Sequence, residues 1–248
     1  MLRGLWRLTW LELRIFLREP LGVFGTVLAP VLVFLALGRL LGGRVRATDP
    51  DAADVARDLP VVVAMLVAVG AILSLVAIMA IYREGGILKR LRATPLRPAT
   101  ILTAHVLVKM LLSTTTLTLM AVAGRRFVPA GAEAPWLSFG VAVVFTVACV
   151  LSIGFVIASV VPTARFAQPL GALVLYPMLG LSGLFVPLDV LPPGLQFVAR
   201  ALPFTPAVSL LRGIWHGEGW ASHTGDMAVL ALVFALCVAL ASRVFRWE

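Results

Sequence analysis

The chain has 248 residues, 60% of them hydrophobic and only 13% charged, with a net charge of +9. A soluble domain carries roughly a quarter charged residues, so this composition excludes a soluble fold with a large core. Nucleic acid is a poor match for the positive balance, because the basic residues flank apolar stretches instead of gathering in one patch.

Inside a bilayer, only helix bundles and closed barrels satisfy the backbone. The apolar runs here are continuous and far longer than a barrel strand of about ten residues. The expected fold is therefore an all-α polytopic membrane protein with six transmembrane helices. Cys149 and Cys237 fall inside these runs and read as small core residues, with no disulfide or metal framework.

Residues 1–19 predict an amphipathic interfacial helix. At 100° per residue, Arg3, Arg7, Arg14 and Arg18 fall within about 60° of one another. Leu2, Leu5, Trp6, Trp10, Leu13, Phe16 and Leu17 cover the other side, as in a helix lying among lipid headgroups. The same arginines argue against a cleavable signal. The first span, about 21–41, is entered through Pro20 and kinked by Pro30, whose freed carbonyl a neighbouring helix must recover. A polar loop at 42–59 carries Asp49, Asp51, Asp54 and Asp58. The second span covers about 60–81 and a basic loop follows it. The third span covers about 100–123, and a short loop after it carries Arg125, Arg126, Pro129 and Glu133. The fourth covers about 136–161, the fifth 166–186 and the last 225–241.

Residues 187–220 are apolar but broken by Pro192, Pro193, Pro203 and Pro206. Pro193 opens one short helix to Ala201, and Thr205 caps another from Pro206 to Trp215. Each is roughly half a bilayer crossing. Such a pair is either a re-entrant helical hairpin between spans five and six or a surface loop with two interfacial helices. The hairpin is the expectation here.

Orientation follows from the basic residues. With both termini cytoplasmic, twelve lie inside (Arg3, Arg7, Arg14, Arg18, Arg83, Lys89, Arg90, Arg92, Arg97, Arg165, Arg243, Arg246) against seven outside. Five of the twelve crowd the loop after the second span. Its glycines and its Ile87, Leu88 and Leu91 patch suit a docking surface, with Lys89, Arg90 and Arg92 as a charged rim and Glu84 as a cap or ion-pair partner. The bland reading is that this loop only sets topology. His105 and Lys109 stand four apart and share a face of the third span. Such charges line a path, bridge helices or snorkel outward. The hydroxyls of Ser113–Thr116 return to their own backbone or bridge helices. Gly180, Ser182 and Gly183 form a small-residue patch that permits close approach or a helix break.

The loop YREGGILKRLRATPLRPATIL and the late segment LSGLFVPLDVLPPGLQFVARALPFTPAVSLLRG, together with the N-terminal amphipathic helix, resemble the ABC type-2 transporter permeases, the membrane subunits of bacterial ATP-binding-cassette exporters. The likeness covers essentially the whole chain. It implies that residues 84–95 are a coupling segment docking on an ATP-binding-cassette ATPase, with Glu84, Ile87, Leu88, Lys89, Arg90, Leu91 and Arg92 at the contact. It implies a second permease copy or sister chain, substrate leaving through the dimer interface, a location in the bacterial cytoplasmic membrane, and an outer lid at 187–220. Ser182 and Asp189 would then lie near an outer gate, and His105 and Lys109 become candidates for the pathway.

The sequence contains no G-x-x-x-x-G-K-[ST] phosphate loop. The expectation is a transport subunit rather than an enzyme, with no cofactor or metal on this chain and with ATP and Mg on the partner. The substrate would be hydrophobic or amphiphilic. The main rival is an ion-coupled secondary transporter, which usually shows a repeated half and mid-membrane charge. An intramembrane enzyme would need a motif such as H-E-x-x-H or G-x-S-x-G, and neither occurs.

Overall fold

A computed structural model of the chain describes residues 2–45, 50–86, 98–124, 135–161 and 163–244. All regular elements among these residues are helical. Helix α1 is Leu2–Leu17. A short α2, Pro20–Val23, passes through a π-helical turn, Phe24–Leu28, into α3, Ala29–Val45. Then come α4, Pro50–Glu84, α5, Pro98–Gly124, and α6, Trp136–Val160. The chain continues with α7, Ala164–Gly180, α8, Pro193–Ala201, α9, Phe204–His216, and α10, Thr224–Val244.

Among the described residues, four helices are long and apolar enough to cross a membrane, at Asp58–Glu84, Thr103–Ala123, Trp136–Val160 and Ala221–Ala241. Phe24–Leu40 is a shorter apolar helix. Helices α4 and α6 form the centre, where Val61, Met65, Ile72, Leu75 and Val76 meet Phe139, Val143, Val147, Val150 and Leu151. Gly154 lets them approach closely: a Cβ there would lie 3.1 Å from Ile72 and 3.2 Å from Leu75. Helices α3, α5, α7, α9 and α10 pack around this pair, and α1 lies along α5.

The interruption in the first span has a local cause. Pro30 has no N–H, so a carbonyl one turn earlier loses its regular partner. The backbone widens into the π turn at Phe24–Leu28, and the Thr116 hydroxyl reaches Thr26 O at 3.4 Å while bonding Leu112 O at 2.9 Å. A neighbouring helix thus recovers a freed carbonyl, and a hydroxyl from the Ser113–Thr116 run does it. Thr114, Thr115 and Thr118 bond back to the carbonyls four residues before them.

Three boundaries differ from the sequence reading. Residues 50–59, expected in a polar loop, form the first turns of α4. Pro50 suits the first position of a helix, and Ala52, Ala53 and Ala56 favour its continuation. Helix α7 stops at Gly180 instead of continuing to 186. Pro177 weakens its last turn, Ser182 Oγ donates to Leu179 O at 2.6 Å, and Gly183 takes φ +83°, a conformation that suits glycine. Finally, α9 begins at Phe204, and the Thr205 hydroxyl donates backward to Ala199 O at the end of α8 rather than forward as a cap. That bond joins α8 and α9 into one corner. The loop holding Arg125, Arg126, Pro129 and Glu133 lies outside the described residues.

Candidate functional site

The polar side chains gather at the two ends of α4. From Asp58 to Glu84 that helix has 27 residues, about 40 Å at 1.5 Å per residue, against a hydrocarbon core of about 30 Å. Asp58 and the Tyr82–Arg83 pair are therefore separated along the helix by more than the thickness of such a core.

The first cluster surrounds Tyr82 and Arg83. The Arg83 guanidinium donates to Val161 O at 2.7 Å and to Ala158 O at 2.8 Å. These carbonyls close the end of α6, where regular helical bonding runs out. A planar fork suits that double task better than an ammonium. Tyr82 Oη donates to Glu12 Oε1 at 2.8 Å, which ties α4 to α1. His105 on α5 sits edge-on to the Tyr82 ring, with centroids 5.3 Å apart. Its Nε2 is 3.6 Å from the same Glu12 oxygen, beyond hydrogen-bond reach. One turn further along α5, Lys109 Nζ donates to Ser74 Oγ at 2.6 Å and lies 5.4 Å from the centre of the Phe16 ring. His105 and Lys109 are each 2% exposed, so both point inward.

Glu84, the final residue of α4, is exposed. Gly86 then turns the chain at φ +64°. Ile87, Leu88, Lys89, Arg90, Leu91 and Arg92 lie outside the described residues. What precedes them is anchored: Arg83 holds the end of α4 against the end of α6.

The second cluster lies at the Asp58 end. Asp58 forms an ion pair with Arg212, Oδ2 to Nε 2.7 Å without hydrogen-bond alignment, and pairs with His216 Nε2 at 2.8 Å, joining α9 to α4. The other Arg212 nitrogens donate to Gly183 O and Leu184 O at 3.2 and 3.4 Å, joining α9 to the turn after α7. On the other flank, His223 lies between Asp226 Oδ2, 2.9 Å away, and Glu218 Oε2, 3.0 Å away. Ser209 donates to Asp226 as well, at 2.8 Å. Ser182 is buried here, with its hydroxyl turned back on α7. Asp189 sits exposed in the turn Leu188–Val190, and its backbone carbonyl faces Gln196 at 3.4 Å. The structure thus brings His105 and Lys109 together at one end, and Ser182 and Asp189 at the other.

Sequence reasoning missed Glu12, Ser74, Asp58, His216, Glu218, His223 and Asp226. Glu12 had left a signal: it is the one acid among the first eighteen residues, and it projects away from the arginine row. The Asp58–His216 pair, 158 residues apart, left none.

Several apolar helices tied by polar groups at both ends define a multi-pass membrane protein. The family model for ABC-2 type transporters matches residues 3–215, and the chain belongs to that family. It is a membrane permease component of an ABC transporter. The matched region includes the first cluster and, of the second, Asp58, Ser209 and Arg212, while His216, Glu218, His223 and Asp226 lie beyond it. No curated protein matches the chain.

Proposed function

We infer that this permease exports a hydrophobic or amphiphilic substrate across the bacterial cytoplasmic membrane, driven by ATP hydrolysed on a separate ATP-binding-cassette subunit. ATP and Mg belong to that partner. A second permease copy or sister chain completes the path, and both termini face the cytoplasm. The chain crosses six times: the run through α2 and α3, then α4, α5, α6, α7 and α10. Helix α1 lies in the inner interface with Arg7, Arg14 and Arg18 toward anionic headgroups. All three are exposed, beside the exposed Trp6 and Trp10. The α8–α9 pair is the outer lid.

The observation that carries this reading is the anchoring of Arg83. A force applied to residues 84–95 reaches α4 directly and reaches α6 through the two Arg83 bonds. Those are the two central helices of the bundle. Work done by an ATPase at that loop therefore enters the core rather than a peripheral span. Glu84 and the adjoining Ile87, Leu88, Lys89, Arg90, Leu91 and Arg92 form the docking contact.

The test is isolation of the chain from its native membrane with its partners. An ATP-hydrolysing subunit should co-purify, and Leu88→Asp with Arg92→Glu should remove it. Cysteines placed at 84 and at 218 should react with an impermeant reagent from opposite sides, 84 from the cytoplasm. Full-rate transport by the isolated chain, or labelling of 84 from outside, overturns the reading.

A further inference from the structure

The arginine face of α1 suits a lipid surface, and a lipid surface does not require Glu12. This acid lies on the opposite side of the helix, among Leu13 and Phe16, which pack against Val27, Val108 and Leu112. Its side chain is 13% exposed. An acid on an apolar packing face is costly unless its bonds are satisfied. Glu12 meets that need by accepting from Tyr82 and facing His105. Lys109, held by Ser74, is buried one turn further along the same face of α5. Three elements converge there: α1, the end of α4 that leads into residues 87–97, and the first turns of α5 after that segment.

We propose that Glu12 is a positioning residue. It latches α1 onto the ends of α4 and α5 that flank the docking segment, so that these three helix ends move as one body. This rests on the proposed ATPase docking. Apolar packing alone lets a surface helix slide or rotate, because dispersion contacts carry little direction. A bond from Tyr82 to a buried carboxylate fixes both register and rotation. Helix α1 is thereby carried by the same stroke that moves α4.

The experiment uses the full permease with its ATPase subunit in lipid nanodiscs. Cys149 and Cys237 are replaced by alanine, and spin labels are attached at Leu11→Cys on α1 and Leu111→Cys on α5, both exposed positions. Electron–electron distances are measured without nucleotide and after trapping with ATP and orthovanadate. The native chain should give one narrow distance in both states. Glu12→Ala should add a second, longer population on trapping. Glu12→Gln, which keeps an acceptor for Tyr82, should restore the single distance. If Glu12→Ala fails to assemble, Tyr82→Phe removes the same bond from a half-buried side chain and should broaden the distribution.

A Glu12→Ala or Tyr82→Phe chain that keeps the narrow native distance in both states overturns the latch. So does a native chain in which α1 leaves α5 on trapping. If no ATPase binds the native chain, the docking reading has failed by itself. The latch is then tested in the isolated permease, where Glu12→Ala should still broaden the distance and an unchanged distribution refutes it.

Discussion

Gly213→Ala should be one of the most damaging single-methyl changes in this protein. A Cβ at this position of α9 would stand 1.8 Å from His223 Nε2 and 2.4 Å from its Cε1. No rotation of the methyl relieves that overlap, so the imidazole must leave. Its departure breaks the contacts to Asp226 at 2.9 Å and Glu218 at 3.0 Å. Glu218 is 57% exposed, so its share is discounted for solvent screening. Overpacking costs about 1–3 kcal/mol, and losing the inner hydrogen bond adds about 1 kcal/mol. Alanine's better helix propensity returns up to about 1 kcal/mol. The balance is a loss of about 1–4 kcal/mol, which lowers the unfolding temperature by roughly 2–16 °C for a chain of this size. Thermal unfolding of the detergent-purified protein reads this directly. A Gly213→Ala, His223→Ala double variant has room for the methyl, so it should be more stable than the sum of the two single losses predicts. Gly140→Ala is the control, since nothing lies within 4 Å of its Cβ, and it should be neutral or stabilising. An unchanged midpoint for Gly213→Ala, or strict additivity with His223→Ala, refutes the packing argument.

Other positions give sharp contrasts. Arg83→Lys should lose one of the two bonds to Ala158 and Val161 and cost about 1–2 kcal/mol, and Arg83→Ala should cost more. Chemical denaturation in detergent ranks the two. Ser74→Ala should destabilise more than Lys109→Met, because it leaves a buried ammonium short of an acceptor while the methionine replaces the charge with apolar volume. Equal midpoints would mean that Lys109 has other adequate acceptors. Asp58→Asn should cost about 1 kcal/mol, since Arg212 and His216 are partly exposed. Asp58→Arg with Arg212→Asp should recover part of the loss, and a double-mutant cycle measures how much.

The all-helical class, four long apolar helices, a helix over Leu2–Leu17, an interruption ahead of Pro30 and the short helix opened by Pro193 were legible in the chain alone. Each depends on a local rule: about twenty apolar residues cross a bilayer, arginines recur on one helix face, and proline removes a donor. The expectation that a neighbour recovers the carbonyl freed by Pro30 was legible too, but not that Thr116 would do so. The end of α7 was misread because hydropathy continues through Leu181–Val186, while Pro177, Ser182 and Gly183 decide where the backbone turns.

Tertiary structure decided which polar groups meet. Tyr82 and Glu12 are 70 residues apart, and Asp58 and His216 are 158 apart. No periodicity links such positions, because helix packing rather than spacing brings them within 3 Å. A polar group in an apolar layer announces in sequence that it needs a partner. Which partner it finds depends on how the helices are rotated and how deeply they cross, and those are properties of the assembled bundle.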